Sequence, residues 1–268
     1  GSTAGLSAAV TAAREGADVC LLEPTDMPGG QMTANGIPAL DFSPEQCGPA
    51  ARAAFNTSKS PKTMDANMPA DLPPLLRSIH PEPGYRATCW VSCYCYLPTA
   101  LAEGGIAALL ASVGGKLRVF EQTVLTRAET AATGADDGGQ TSRITSVSAV
   151  QRTPTAAATA VCPAHPGYGA QLSKALPDWY SPKPSADFDK RLLNFTASTW
   201  LDTSYNGELL ALSGGPYLQG IDEEYDGDVR GATQPIGNDT IGQSFTMTYQ
   251  AGHTATAPHL VSPSYHAG

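Results

Sequence analysis

GSTAGLSAAVTAAREGADVCLLEPTDMPGGQM, residues 1–32, decides how this chain is read. Residues 4–15, AGLSAAVTAARE, are rich in alanine and carry no proline, and no glycine after Gly5. Alanine loses no side-chain freedom in a helix, so the run predicts one. Ala8, Ala9, Ala12 and Ala13 are small enough to let that helix approach a sheet closely. Gly16 follows where helices often end on a left-handed residue. Val19-Cys20-Leu21-Leu22 is a short apolar run, as expected of a buried parallel strand, and it ends in Glu23.

Turn, helix, strand and acidic residue follow one another as in a dinucleotide-binding unit, with Glu23 lying 18 residues after Gly5. Each part has a physical task. A tight turn lets backbone N–H groups approach a pyrophosphate, and the helix N-terminus adds a favourable dipole. A carboxylate ending the second strand accepts hydrogen bonds from ribose hydroxyls. Aligning Gly5 with the last glycine of G-x-G-x-x-G puts Ser2 at the middle position and the first glycine before Gly1. The glycines alone favour an ordinary alanine-rich surface helix. The helix, Gly16, the strand and Glu23 in register favour the nucleotide reading. Gly29-Gly30, beginning six residues past Glu23, permits close backbone approach to a ligand, or makes a simple turn after Pro28. Residues 33–41 read as an irregular loop.

The 268 residues suffice for one large domain or two small ones, and 41% hydrophobic content suffices for a core. A net charge of −9 without a basic stripe argues against a nucleic-acid partner. No apolar run reaches membrane-spanning length, so no membrane partner is expected. Six cysteines fix no redox compartment. Sequons start at Asn56, Asn194 and Asn238; the second falls in an expected buried strand and is discounted, while the others keep a secretory location open.

GSTAGLSAAVTAAREGADVCLLEP followed by GGQMTANGIPALD resembles the FAD-dependent oxidoreductases of the glutathione-reductase-like superfamily. FTASTWLDTSYNGELLALSGGPYLQGIDEEYDGD, from Phe195 to Asp228, and the run Ile241 to Thr246 resemble later segments of the same group. The resemblance implies an α/β fold: a Rossmann-like FAD-binding core, three-layered with a mainly parallel sheet, interrupted by cap or substrate segments. It implies noncovalent FAD and a small-molecule substrate. Gly1, Ser2, Thr3, Ala4 and Gly5 would then face pyrophosphate, and Glu23 would bind ribose, with Pro24 beside it. Gly29, Gly30, Gln31 and Met32 would pass close to phosphates or flavin. The resemblance would have Val124 offer backbone to adenine, but plain core packing is the favoured reading of that residue. Thr203 stands where an A-T-G-like motif begins to contact flavin nucleotide, although Asp202-Thr203-Ser204 departs from that motif. The resemblance also implies a strand and a glycine before Gly1 and a further segment after Gly268, so the core is expected to be incomplete.

Core segments are expected over 1–43, 97–150 and 191–214, with insertions over 44–96 and 151–190 and a second cap segment starting at 215–268. Leu97 to Val113 predicts a helix interrupted by a Gly-Gly pair; residues 116–120, 123–125 and 143–150 predict strands, with a hairpin-like loop over 134–140. Cys89, Cys93 and Cys95 could hold a metal or cluster, or supply a redox disulfide, but they match none of the better zinc or cluster spacings, and their alternation with Trp90, Tyr94 and Tyr96 favours a packed strand. No metal site and no catalytic base are assigned; His80 has the chemistry for proton transfer, but nothing in the sequence places it beside a flavin. Two alternatives stand beside the flavoprotein: an NAD(P)-dependent Rossmann enzyme, against which Gly29-Gly30 speaks, and a non-catalytic remnant or binding protein.

Overall fold

The computed structural model describes residues 1–37, 98–136, 139–161 and 177–216. The cysteine cluster at 89–95, His80, the sequons at Asn56 and Asn238, and the segment from Ile241 lie outside these residues.

Helix α1 spans Thr3–Arg14, close to the run that composition predicts. Ser2 caps it by accepting the Gly5 N–H on its hydroxyl at 3.1 Å, which satisfies one of the orphan donors of the first turn. Its buried face is Leu6, Ala9, Val10 and Ala13, the i, i+3, i+4, i+7 stripe of an amphipathic helix. Ala8 and Ala12 are only half-buried. Gly16, at φ +96°, follows the helix end.

Strand β1 (Val19–Leu22) pairs in parallel with β2 (Leu117–Phe120), from Val19 opposite Leu117 to Leu22 opposite Phe120. Leu21 and Leu117 join the α1 stripe, Met32, Leu101 and Ile106 in one core. The buried strand expected here is buried on one side only. α1 covers the Leu21 face, and Cys20 on the opposite face is exposed.

A second helical run, α2, comprises Pro98–Ala100, a π-helical turn Leu101–Ile106 and Ala107–Ser112. The π-helical turn contains the Gly104-Gly105 pair. Leu101 and Ile106 fill the core beside α1.

Strands β3 (Thr123–Asp136), β4 (Gly139–Pro154) and β5 (Phe188–Phe195) form an antiparallel sheet in the order β3-β4-β5. The parallel pairing expected of the core is therefore confined to β1 and β2 among the described residues, and the larger sheet is antiparallel. β4 continues past residue 151 and β5 begins before 190, so strand occupies both ends of the expected 151–190 insertion. Between them α3 spans Ala156–Val161, and a short helix spans residues 177–180. Val124, Val150, Trp179 and Phe188 make a second core under this sheet. Asn194 is exposed on β5, which corrects the expectation of a buried sequon: the strand lies at the sheet edge, with β4 its only partner among the described residues. α4 (Glu208–Leu212) packs on β3.

The two sheets join at Glu23. Its N–H donates to Phe120 O at 2.9 Å, and its carbonyl accepts from the Thr123 N–H at 2.8 Å. Gln122 makes the tight link from β2 to β3 with φ +52°, a left-handed value uncommon outside glycine.

Candidate functional site

The end of β1, the start of α1 and the Gly29-Gly30 turn converge. The Gly29 N–H donates to Gly1 O at 2.8 Å, and the Thr3 hydroxyl donates to Gly29 O at 2.8 Å. The Gly1 amino group donates to Leu22 O at 2.8 Å and lies 3.7 Å from Glu23 Oε2. A side chain at position 1 would overlap that carboxylate.

Glu23 is 2% exposed. Its Oε1 accepts from the Thr25 N–H at 2.8 Å and the Thr25 hydroxyl at 2.6 Å. Burial pushes its carboxyl above the ordinary range, while the Gly1 amino group and the two Thr25 donors oppose that shift. A carboxylate has roughly four acceptor positions, so Oε2 keeps capacity for a further donor.

Helix geometry leaves the N–H groups of Thr3 and Ala4 without an acceptor inside α1. Ala4 is exposed. Thr203 lies against this helix start: its carbonyl accepts from the Ser2 hydroxyl at 2.6 Å, and its Oγ1 fills the space a Cβ on Gly5 would need. Tyr205, two residues on, accepts the Gln31 N–H on its hydroxyl at 2.8 Å and covers Gly30, whose φ is +58°.

The sequence-based candidates Gly1 to Gly5, Glu23, Pro24, Gly29 to Met32 and Thr203 thus gather around the N-terminus of α1, although Thr203 and Tyr205 are distant from it in sequence. Not all of them present a surface to a ligand. Met32 is buried in the first core. Val124 is 1% exposed in the second core, with its backbone in the ladder opposite Val150. The close approaches at Gly5 and Gly30 are made by Thr203 and Tyr205. Sequence reasoning did not find Tyr205, or Arg152, which donates from Nη2 to Pro24 O. No local pattern marks either residue, since both act across long sequence separations.

The donor set suits a nucleotide. The start of a 12-residue helix offers amides and a positive dipole end to an anion. A buried carboxylate, Glu23, lies against the same turn. Among the described residues, no three histidine, cysteine or acidic side chains group as metal ligands. No described helix is long and apolar enough to cross a membrane.

No curated protein and no solved structure was found to match the chain. The sequence model of the family described as FAD dependent oxidoreductase matches residues 1–160, which include α1, β1, the glycine pair, β2, β3 and β4. That match takes in more than half of the chain, and the chain belongs to the FAD dependent oxidoreductase family, whose cofactor is FAD.

Proposed function

We propose that the chain holds FAD in a Rossmann-like core of the glutathione-reductase-like kind and acts as a flavin-linked oxidoreductase on a small-molecule substrate. The observation that carries this reading is the convergence of the capped start of α1, buried Glu23 and Thr203 on one point.

The turn from Gly1 to Gly5 would hold the pyrophosphate, with the Thr3 and Ala4 amides as donors and the α1 dipole behind them. Glu23 would take ribose hydroxyls on Oε2 while Thr25 fixes Oε1. Pro24 would border the ribose, and Gly29 and Gln31 would form the far wall, with Gly30 under Tyr205 and Met32 backing it from the core. Thr203 would brace the turn, while Val124, buried in the second core and paired with Val150, would only pack beneath the site. Bound FAD supplies the electron-pair acceptor or donor, and the protein binds and orients it. Residues 1–43, 97–150 and 191–214 would make the core, with the intervening segments and 215–268 serving the substrate.

The test is the visible absorption spectrum of the chain after incubation with FAD and removal of excess. Retained flavin absorbance is expected, and Glu23→Ala should release FAD at least ~10-fold more readily, the loss of a hydrogen bond to a charged group. A wild-type chain that retains no flavin would overturn the reading. Equal retention by Glu23→Ala would remove Glu23 from the site.

A further inference from the structure

Three consecutive carbonyls at the corner after β1 are each held by a donor from the antiparallel half of the fold. Glu23 O accepts from the Thr123 N–H at 2.8 Å, and Thr25 O accepts from the Gln122 N–H at 2.8 Å. Pro24 O, between them, accepts from Arg152 Nη2. The first two donors are backbone groups fixed by the link from β2 to β3. The third is a side chain, so it is the one a substitution can remove.

Arg152 is an unusual residue to find there. It lies on β4 and is 2% exposed. Its guanidinium stacks 3.9 Å from the Trp179 ring centroid and 5.6 Å from that of Phe188. Nε and Nη1 are buried without a hydrogen-bond partner among the described residues. Burying a guanidinium without full pairing is costly, and an apolar side chain would fill the same space more cheaply. The bond to Pro24 O gives this charge a specific task. Arg152 is itself well fixed, because its backbone N–H donates to Gln122 O at 2.9 Å and Trp179 backs its planar group.

We infer that Arg152 is a positioning residue for Glu23: braced on Trp179, it pins the Pro24 carbonyl and so holds the Glu23-Pro24-Thr25 corner where Oε2 can take a ribose hydroxyl. This rests on the reading that Glu23 binds ribose. The corner sets the carboxylate because both Oε1 donors belong to Thr25, which moves with Pro24. Arg152 makes no contact with the nucleotide. It acts through one peptide unit.

Binding of ADP, 2′-deoxy-ADP and 3′-deoxy-ADP to the full chain, measured by calorimetric titration, tests this. These probes carry the adenosine half alone, with and without the hydroxyls that Glu23 would take. The wild type should prefer ADP by ~10-fold or more over at least one deoxy analogue. Arg152→Met should lower that preference below about threefold, and Arg152→Lys, which keeps the charge but loses the planar fork, should fall between. A preference ratio is taken within one protein, so a general loss of stability does not imitate the effect. Should Arg152→Met fail to fold, Trp179→Leu removes the ring that braces Arg152 and should also lower the ratio. A wild type with no preference would overturn the ribose reading of Glu23 and this inference with it. A wild-type preference kept intact in Arg152→Met, or in Trp179→Leu where that variant stands in, would overturn the inference alone.

Discussion

Replacing Ser2 with alanine should cost the fold about 2 kcal/mol, from two bonds made by one oxygen. Ser2 is 8% exposed, and its hydroxyl accepts the Gly5 N–H at 3.1 Å while donating to Thr203 O at 2.6 Å. Losing a serine N-cap to alanine costs ~1 kcal/mol. Leaving the part-buried Thr203 carbonyl unpaired adds ~1 kcal/mol, the low end of the cost of an unsatisfied group. In a chain of this size the sum lowers the melting temperature by about 4–8 °C. Urea unfolding followed by circular dichroism measures the loss directly. Ser2→Thr keeps the hydroxyl and should stay within ~0.5 kcal/mol of wild type. Ser7→Ala is the control on the same helix: it removes the 3.0 Å bond from the Ser7 hydroxyl to Thr3 O, a bond within the helix worth little. If Ser2→Ala unfolds within 0.5 kcal/mol of wild type, or with Ser7→Ala, the hydroxyl does not tie α1 to the Thr203 segment and the reasoning fails.

Gly30→Ala should destabilise by ~1–2 kcal/mol from its left-handed backbone, and its new Cβ would also crowd Tyr205 and lie 3.0 Å from Ser2 Cα. Tyr205→Ala should relieve part of that, so a double-mutant cycle should show coupling above ~0.5 kcal/mol, and strict additivity would contradict the packing. Glu23 has its carboxyl raised above 4.5 by burial, so the folded chain holds that proton more tightly than the unfolded one. Its contribution is then full below pH 4.5 and lost as pH rises through the raised value, so Glu23→Gln should gain on wild type across that window in unfolding titrations; a difference independent of pH would refute this. Burial alone would raise the Asp202 carboxyl, but N–H donors at Leu210 and Ser204 and the Ser204 hydroxyl outweigh it and hold the group below 3.8. Asp202→Ala should therefore cost ~1 kcal/mol at neutral pH through the start of α4, and the gap should close as pH falls below 3.8.

The N-terminal helix and strand of this architecture were legible because their signals are local. The alanine run, Gly16 and the apolar tetrad each specify an element within a few residues, and α1 and β1 formed where they pointed. The extent of β3 and β4 was not legible. Residues 126–136 are small and polar, with little alternation, and they become strand through pairing with β4. The exposure of Cys20 and Asn194 depends on what covers each sheet face, which no strand pattern contains. At the site, Thr203 was reached through family resemblance. Its contacts with Ser2 and Gly5 span some two hundred residues, and periodicity carries no information across that distance. Glycine spacing gave the positions of close approach but not their occupants, which are protein side chains at Gly5 and Gly30.

The π-helical turn at Leu101–Ile106 bears on how this chain tolerates changes of length. In a regular α-helix, side chains five positions apart point about 140° away from each other. Leu101 and Ile106 are 0% and 3% exposed in one core, because the wider turn brings them round to the same face. The turn therefore holds one residue more than an α-helix would need to link those two anchors. Deleting Gly104 would leave them four apart, still on one face, with Ile106 still beside Gly29. The same deletion in the regular turns of Ala107–Ser112 would swing everything after it by about 100°. Along this helix, tolerance of a lost residue is concentrated at the Gly-Gly pair, next to the wall of the candidate site.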